Sequence, residues 1–269
     1  MPTASRPFDD CPDALLREVS GVLTDIDDTL THEGAIEPEA LAALGALRQV
    51  GMPVIAITGR PMGWSEPFAR EWPIDAIVAE NGAVALFMND GTLRIEYAQD
   101  DPTRTHNARR LAEVAQRVLR EVPGATLARD SAGRVTDIAI DHSEFAHLDE
   151  TAIAKVVALM QSEGMNATVS SIHINGWFGD HDKLSGARWI VRRRLGRDVE
   201  AERGRWLYVG DSTNDQRMFE HFPLSVGVAN LMRFAAQLHT WPAWITEGER
   251  GRGFAQVAQR LLGARGAST

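Results

Sequence analysis

The chain opens with short apolar runs set between stretches of helical periodicity. Residues 21–25, Gly-Val-Leu-Thr-Asp, stay apolar almost to the final carboxylate, the pattern of a strand buried on both faces of a parallel sheet. A loop through Thr31-His32-Glu33-Gly34 separates this run from a helix signal. Pro38 suits a first turn, Leu41, Leu44 and Leu47 recur at every third residue, and Gly51 stands where a C-cap would fall. Residues 53–58 and 76–79 read as two further buried strands, with a helix between them near residues 64–72. Strand, helix, strand, helix, strand at this spacing predicts a doubly wound, Rossmann-like α/β sheet.

The texture changes at Asp90-Gly91, a hairpin-turn pair between two β-rich segments. From there to residue 182 the pattern predicts helices over 105–121 and 148–163 and strands over 135–141 and 167–175. Ile138/Ile140 and Ile172/Ile174 are spaced by two, which gives each strand one apolar and one polar face, as in an antiparallel sheet covered on one side. The α/β pattern resumes with a helix over 184–195, a strand over 206–210, short strands near 225–228 and 244–246, and a closing helix over 253–262. The predicted architecture is therefore an α/β core built from residues 1–88 and 183–269, with residues 89–182 inserted as an α+β cap.

Charge and composition narrow the function classes. The 269 residues carry 28 Lys plus Arg against 37 Asp plus Glu, a formal charge of −9, which disfavours nucleic acid or an anionic membrane as the main partner. The single cysteine, Cys11, leaves no disulfide pair and no Cys-based metal cluster. The amino-terminal stretch has no apolar run of signal-peptide length, and no run elsewhere is long enough to span a bilayer. The expectation is a cytoplasmic protein, monomeric or a small homo-oligomer, acting on a small molecule. Arg192-Arg193-Arg194 falls within a predicted helix and reads as a solvated charged face.

Three predicted strands deliver polar groups at their carboxyl ends, where an open α/β sheet binds its ligands. The first is Asp25-Ile26-Asp27-Asp28-Thr29, in which Asp25 and Asp27 point the same way along an extended exit. The second is Thr58-Gly59-Arg60, a hydroxyl and loop amides suited to an anion. The third is Gly210-Asp211-Ser212-Thr213-Asn214-Asp215. Lys183 opens the helix after the insert and supplies a positive charge. Hard oxygen ligands without a Cys or His cluster suit Mg²⁺. A carboxylate can attack phosphorus if a cation and a lysine offset the repulsion between two anions, and a second acid can protonate the departing oxygen. The residue set points to phosphoryl transfer.

Taken together, DIDDT, TGR, the lysine after the insert and GDSTND resemble the four motifs of the haloacid dehalogenase-like superfamily of phosphatases. An insert between the second and third motifs is similar to the C2-type cap of Cof-type sugar phosphatases, sucrose-phosphate phosphatase and mannosyl-3-phosphoglycerate phosphatase. The Glu80-Asn81-Gly82-Ala83 turn and the His181-Asp182-Lys183 junction resemble that subgroup too. The resemblance implies Asp25 as nucleophile and Asp27 as general acid and base, with the Asp27 backbone carbonyl offered to Mg²⁺. It implies that Thr58, the Gly59 amide and Lys183 hold the transferring phosphoryl group, with Asn214 ordering that part of the site. Asp211 would bind Mg²⁺ beside Asp25, and Asp215 would be a second ligand or a ligand support. Asp28 departs from the pattern, standing where many members have glycine; Asp tolerates unusual turn backbone better than most residues.

The function this implies is a Mg²⁺-dependent phosphatase acting through an aspartyl-phosphate on a small phosphorylated metabolite, a sugar phosphate or glycosyl-phosphoglycerate. A phosphomannomutase-type phosphotransferase and a non-catalytic phosphosugar-binding protein are the alternatives. On the cap, His173 and Asn175 share the polar face of their predicted strand with Ser171. If that face looks down on the core, they could reach substrate hydroxyls.

Overall fold

In the computed structural model, which describes residues 5–266, the apolar strands divide their side chains between two helical layers. Val22, Val54, Ala56, Leu207 and Val209 pack against one layer, which includes Leu44, Leu47, Phe254 and Leu261. Leu23, Ile55, Ile57, Trp206 and Tyr208 point to the other, toward Leu184, Ile190 and Phe219. Both faces are covered, so the strands carry no hydrophobic–polar alternation.

Among the described residues, the large sheet has nine strands in the order Arg6–Pro7, Trp244–Ile245, Leu224–Gly227, Trp206–Gly210, Gly21–Thr24, Val54–Ile57, Ala76–Ala79, Val84–Asn89 and Thr92–Tyr97. All neighbours as far as Ala76–Ala79 pair in parallel, and the last two strands are antiparallel additions. Asp90 (φ 49°) and Gly91 (φ 73°) close the final hairpin, the backbone a two-residue turn of this kind demands. Residue 89, the expected start of the insert, thus lies inside a hairpin of the large sheet. Pairing from Asn89↔Thr92 to Val84↔Tyr97 carries that sheet on to Tyr97, and helix Asp101–Glu121, capped by the Asp100 side chain, follows.

The second sheet is antiparallel, in the order Asn166–Val169, His173–Trp177, Asp137–Asp141, Thr126–Leu127. Helices Asp101–Glu121 and Glu150–Ser162 cover one face through Leu111, Val118, Val156, Met160, Ile140 and Ile174. The single strand expected over 167–175 is two strands. Ser170 N–H donates to the His173 carbonyl (2.9 Å) and Ser170 Oγ accepts from His173 N–H (3.0 Å), so Ile172 lies in a turn. A small hairpin, Thr31–His32 with Ala35–Ile36, occupies the stretch read as a loop; Glu33 (φ 51°) and Gly34 (φ 78°) form its turn.

Strand order reverses at Gly21–Thr24. The chain first builds outward through Val54–Ile57 and Ala76–Ala79, then returns to place Trp206–Gly210 on the other flank. A reversal of this kind opens a crevice at the strand carboxyl ends, and the polar face of the second sheet sits over it. Among the described residues, no helix is long and apolar enough to cross a membrane.

Candidate active site

Asp25 leaves the central strand still hydrogen-bonded to its neighbour, its N–H donating to the Val209 carbonyl (2.9 Å). Its side chain is 5% exposed. Oδ1 accepts from the Ile26 N–H at 2.8 Å and Oδ2 lies 2.9 Å from Lys183 Nζ. Lys183 reaches this point because it is the first residue of helix Lys183–Leu195, whose N-cap is Asp182. The same ammonium lies 2.8 Å from Asp215 Oδ1 and donates to Asn214 Oδ1 (3.2 Å). Asp215 Oδ2 accepts the Asp211 and Ser212 N–H groups (2.9 and 3.1 Å), and Tyr208 donates to Oδ1. Gly210 permits this tight turn, since a Cβ there would lie 2.5 Å from Asp215 Oδ2.

The cluster is electrostatically unbalanced. Carboxylate oxygens of Asp25, Asp211 and Asp215 lie within 4.8 Å of one another, with the Lys183 ammonium between Asp25 and Asp215. Burial, reinforced by Asp215 and Asp27 and opposed by Lys183, pushes the Asp25 carboxyl up to about 7. Burial together with the Asp25 and Asp215 charges raises Asp211 well above the usual carboxylate range. Burial alone would lower the Lys183 ammonium, but Asp215 and Asp25 hold it above its ordinary value. Asp211 Oδ1 is buried and has no hydrogen-bond partner among the described residues. Packed carboxylates with an orphaned oxygen fit a hard divalent cation. The oxygens of Asp215, by contrast, are already held by protein donors.

Asp27 lies on the cleft side of this cluster, its side chain 14% exposed. Its Oδ2 accepts from Thr58 Oγ1 at 3.3 Å and its Oδ1 pairs with Arg60 Nε at 2.9 Å. Thr58 Oγ1 also accepts the Arg60 N–H (2.9 Å), closing the turn after its strand. The Gly59 carbonyl is gripped from the cap by Arg134 Nη1 (2.9 Å) and Asn175 Nδ2 (3.2 Å). Glu80, in left-handed backbone (φ 49°), ties the two sheets together. Its carboxylate accepts from the N–H groups of Met62, Val135 and Thr136 and from Thr136 Oγ1.

The polar cap face does look down on the core, with His173 and Asn175 on it. Both are already engaged by protein groups: Asn175 by Gly59 and Asp137, and His173 Nε2 by Glu144 Oε2 at 2.8 Å. Cap and core also meet where Thr213 Oγ1 donates to the Val169 carbonyl (2.7 Å).

Sequence reasoning missed a second group. Asn230 follows the strand Leu224–Gly227, so the strand-end rule that found Asp25, Thr58 and Asp211 could have found it. Its Nδ2 donates to the Asp28 carbonyl (2.9 Å) and Asp211 Oδ2 (3.3 Å). Asp28 has φ 54°, the left-handed conformation the departure from glycine requires, and its carboxylate binds Arg250 Nε (2.9 Å) and Arg233 Nη2 (3.1 Å). No local pattern flags either arginine. With Asp27, Arg60, Glu144 and Ser171 they line a cleft of about 550 Å³ between cap and core. A separate cleft of about 500 Å³ on the far side includes Asn81, Thr168, Lys183 and Asn214.

Residues 22–110 match the family model of haloacid dehalogenase-like hydrolases. A phosphoglycolate phosphatase of Methanothermobacter thermautotrophicus is 25% identical over 243 residues, covering 90% of this chain and 98% of that protein. A Thermoplasma acidophilum protein of known structure shares the fold with a TM-score of 0.68 at 15% identity, over 90% of this chain and 98% of its own. The Synechocystis sucrose-phosphatase, solved with sucrose and phosphate, gives a TM-score of 0.63 at 14% identity, over 91% and 98% of the two chains.

Proposed function

We propose that the chain, which is similar to haloacid dehalogenase-like hydrolases and to phosphoglycolate phosphatases, is a phosphatase of that kind with a C2-type cap, and that it hydrolyses the phosphate monoester of a small metabolite through an aspartyl-phosphate on Asp25 in a Mg²⁺-dependent reaction. The observation that carries the reading is the pair of carboxyl groups two residues apart in different settings. Asp25 is buried and fixed between Lys183 and the Ile26 amide. Asp27 is turned to the cleft and held by Arg60 and Thr58. Asp25 Oδ attacks phosphorus as the bond to the leaving oxygen breaks, and Asp27 gives that oxygen its proton. Asp27, now a carboxylate, takes a proton from the water that cleaves the acyl phosphate. Lys183 and the Thr58-Gly59 turn are suited to hold the phosphoryl oxygens. Asp25, Asp211 and the Asp27 carbonyl would hold Mg²⁺, which when bound supplies the positive charge that lets one anion approach another. Asp215 would position Lys183 and the Asp211 turn, and Asn214 would order the ammonium.

A sugar phosphate or glycosyl-phosphoglycerate is one substrate class. A second reading, a small phosphorylated acid of the phosphoglycolate kind, draws on the 25% identical phosphoglycolate phosphatase and on Arg233. Its side chain is 45% exposed and paired with Asp28 in the cleft that also contains Asp27, where it can exchange that contact for a carboxylate on the leaving group. The test is phosphate release from phosphoglycolate, sugar phosphates, glycosyl-phosphoglycerates and chromogenic aryl phosphates, with Mg²⁺ or EDTA. Metal-dependent release that disappears in Asp25→Asn is expected. Release that persists in that variant would defeat the reading.

A further inference from the structure

The Arg60 guanidinium joins the cap to the general acid. The Arg60 side chain is 5% exposed, and its guanidinium is divided among three carboxylates: Nε on Asp27 Oδ1 at 2.9 Å, Nη1 on Asp130 Oδ2 at 3.2 Å, and Nη2 on Glu144 Oε1 at 2.9 Å. Asp27 belongs to the core, whereas Asp130 and Glu144 come from the insert, 70 and 84 residues along the chain from Arg60. Both cap carboxylates are themselves fixed, Asp130 by Arg134 (3.1 Å) and Glu144 by His173 (2.8 Å). The hydrogen bonds from His173 and Arg60 outweigh burial and bring Glu144 down to about 2, so it meets Arg60 as a carboxylate.

A guanidinium is a rigid planar fork. With both Nη groups held by the cap, its orientation, and so the direction from which Nε meets Asp27, follows the cap. Without the cap carboxylates the buried cation would have Asp27 as its one acidic partner, and the fork would turn onto that carboxyl. Anchoring alone does not require this bridge, because Arg134 and Asn175 of the insert already hold the Gly59 carbonyl, and Glu80 of the core holds the N–H groups of Val135 and Thr136. Glu144 instead lines the same cleft as Asp27.

We propose that Glu144 and Asp130 are positioning residues that act through Arg60, so that the seated cap aims the Asp27 carboxyl at the leaving-group oxygen. This rests on the phosphatase reading with Asp27 as the acid. It makes proton donation depend on the cap, independently of any contact the cap makes with substrate.

The discriminating experiment is a leaving-group comparison. With Mg²⁺ present, kcat/KM is measured for the fastest alkyl phosphate of the panel above and for 2,4-dinitrophenyl phosphate. The second leaving group departs without a proton, and kcat/KM for either ester reports the steps up to phosphorylation of Asp25. Glu144→Gln and Asp130→Asn are each expected to lose about tenfold on the alkyl ester and less than about twofold on the dinitrophenyl ester, a fraction of the roughly hundredfold or more that a general acid supplies. Arg60→Lys should restore part of the loss seen in Arg60→Ala. Equal losses on the two esters, or no loss on the alkyl ester, would overturn the proposal. A wild-type enzyme that hydrolyses neither ester would instead remove the underlying phosphatase reading.

Discussion

Replacing Asp25 with asparagine should stabilise the metal-free protein while abolishing turnover, and the gain should grow with pH. In the folded chain the Asp25 carboxyl is raised from 3.8 to about 7, chiefly by burial. Between these two values the folded state keeps a proton that the unfolded chain has released. Stability therefore falls as pH rises through this window and levels off above about 7. At about 1.36 kcal/mol per pH unit, the full penalty of ionising Asp25 is about 4 kcal/mol, of which about 3 kcal/mol accrues between pH 5 and pH 8. Asparagine cannot ionise. Its amide must face either the Ile26 N–H or the Lys183 ammonium, but that cost does not change with pH and drops out of the comparison. Asp211, raised partly by the Asp25 charge, changes in the same direction when that charge is removed. Urea denaturation followed by tryptophan fluorescence in EDTA, for both proteins at pH 5 and pH 8, measures the effect. The stability of Asp25→Asn relative to wild type should rise by about 3 kcal/mol across that interval. A difference that stays flat with pH would refute the account of Asp25 as a carboxyl raised by burial among other carboxylates.

Other predictions concern the metal, the cap junction and the turn beneath it. Saturating Mg²⁺ should raise the thermal midpoint of the wild type, because a ligand at 100 times its Kd adds about 2.7 kcal/mol; the shift should be absent in Asp211→Asn, as scanning calorimetry would show. Glu80→Gln replaces one acceptor oxygen with a donor opposite backbone N–H groups, and should cost about 1–3 kcal/mol in urea denaturation. Gly82 has φ 108° and a Cβ there would lie 2.1 Å from the Asp182 carbonyl oxygen. Gly82→Ala should therefore cost about 3 kcal/mol or more by the same measurement, and a loss within 0.5 kcal/mol (roughly the effect of an ordinary surface change) would argue against the close approach.

Much of this molecule is legible residue by residue. Uniformly apolar runs such as residues 54–57 and 76–79 report a sheet covered on both faces, because a strand with one wet face must alternate. Gly51 (φ 69°) and Asp90-Gly91 announce backbone that few other residues adopt. Asp25, Thr58, Lys183 and Asp211 could be found because each sits beside an element end, and parallel strands bring their carboxyl ends together wherever they fall in the chain. The same logic extends to Asn230, which is harder to see because Val228 and Ala229 separate it from the end of its strand. The break at 170–172 was hidden by Ile172 and Ile174, whose spacing mimics one continuous strand while Ser170 closes a turn.

The tertiary structure alone decided what those groups are bonded to. Arg250 and Asp28 are 222 residues apart, and no periodicity links them. His173 and Asn175 share one face of the cap as their alternation implied, but only packing turns that face to the core and commits His173 Nε2 to Glu144 and Asn175 Nδ2 to Asp137 and Gly59. The physical reason is one of range. Burial pattern, turn chemistry and strand-end placement arise from a residue and its near neighbours, so they are written locally. The partner of a long charged side chain depends on the relative placement of elements far apart in the chain, to within a hydrogen-bond length. Only the packed molecule sets that distance.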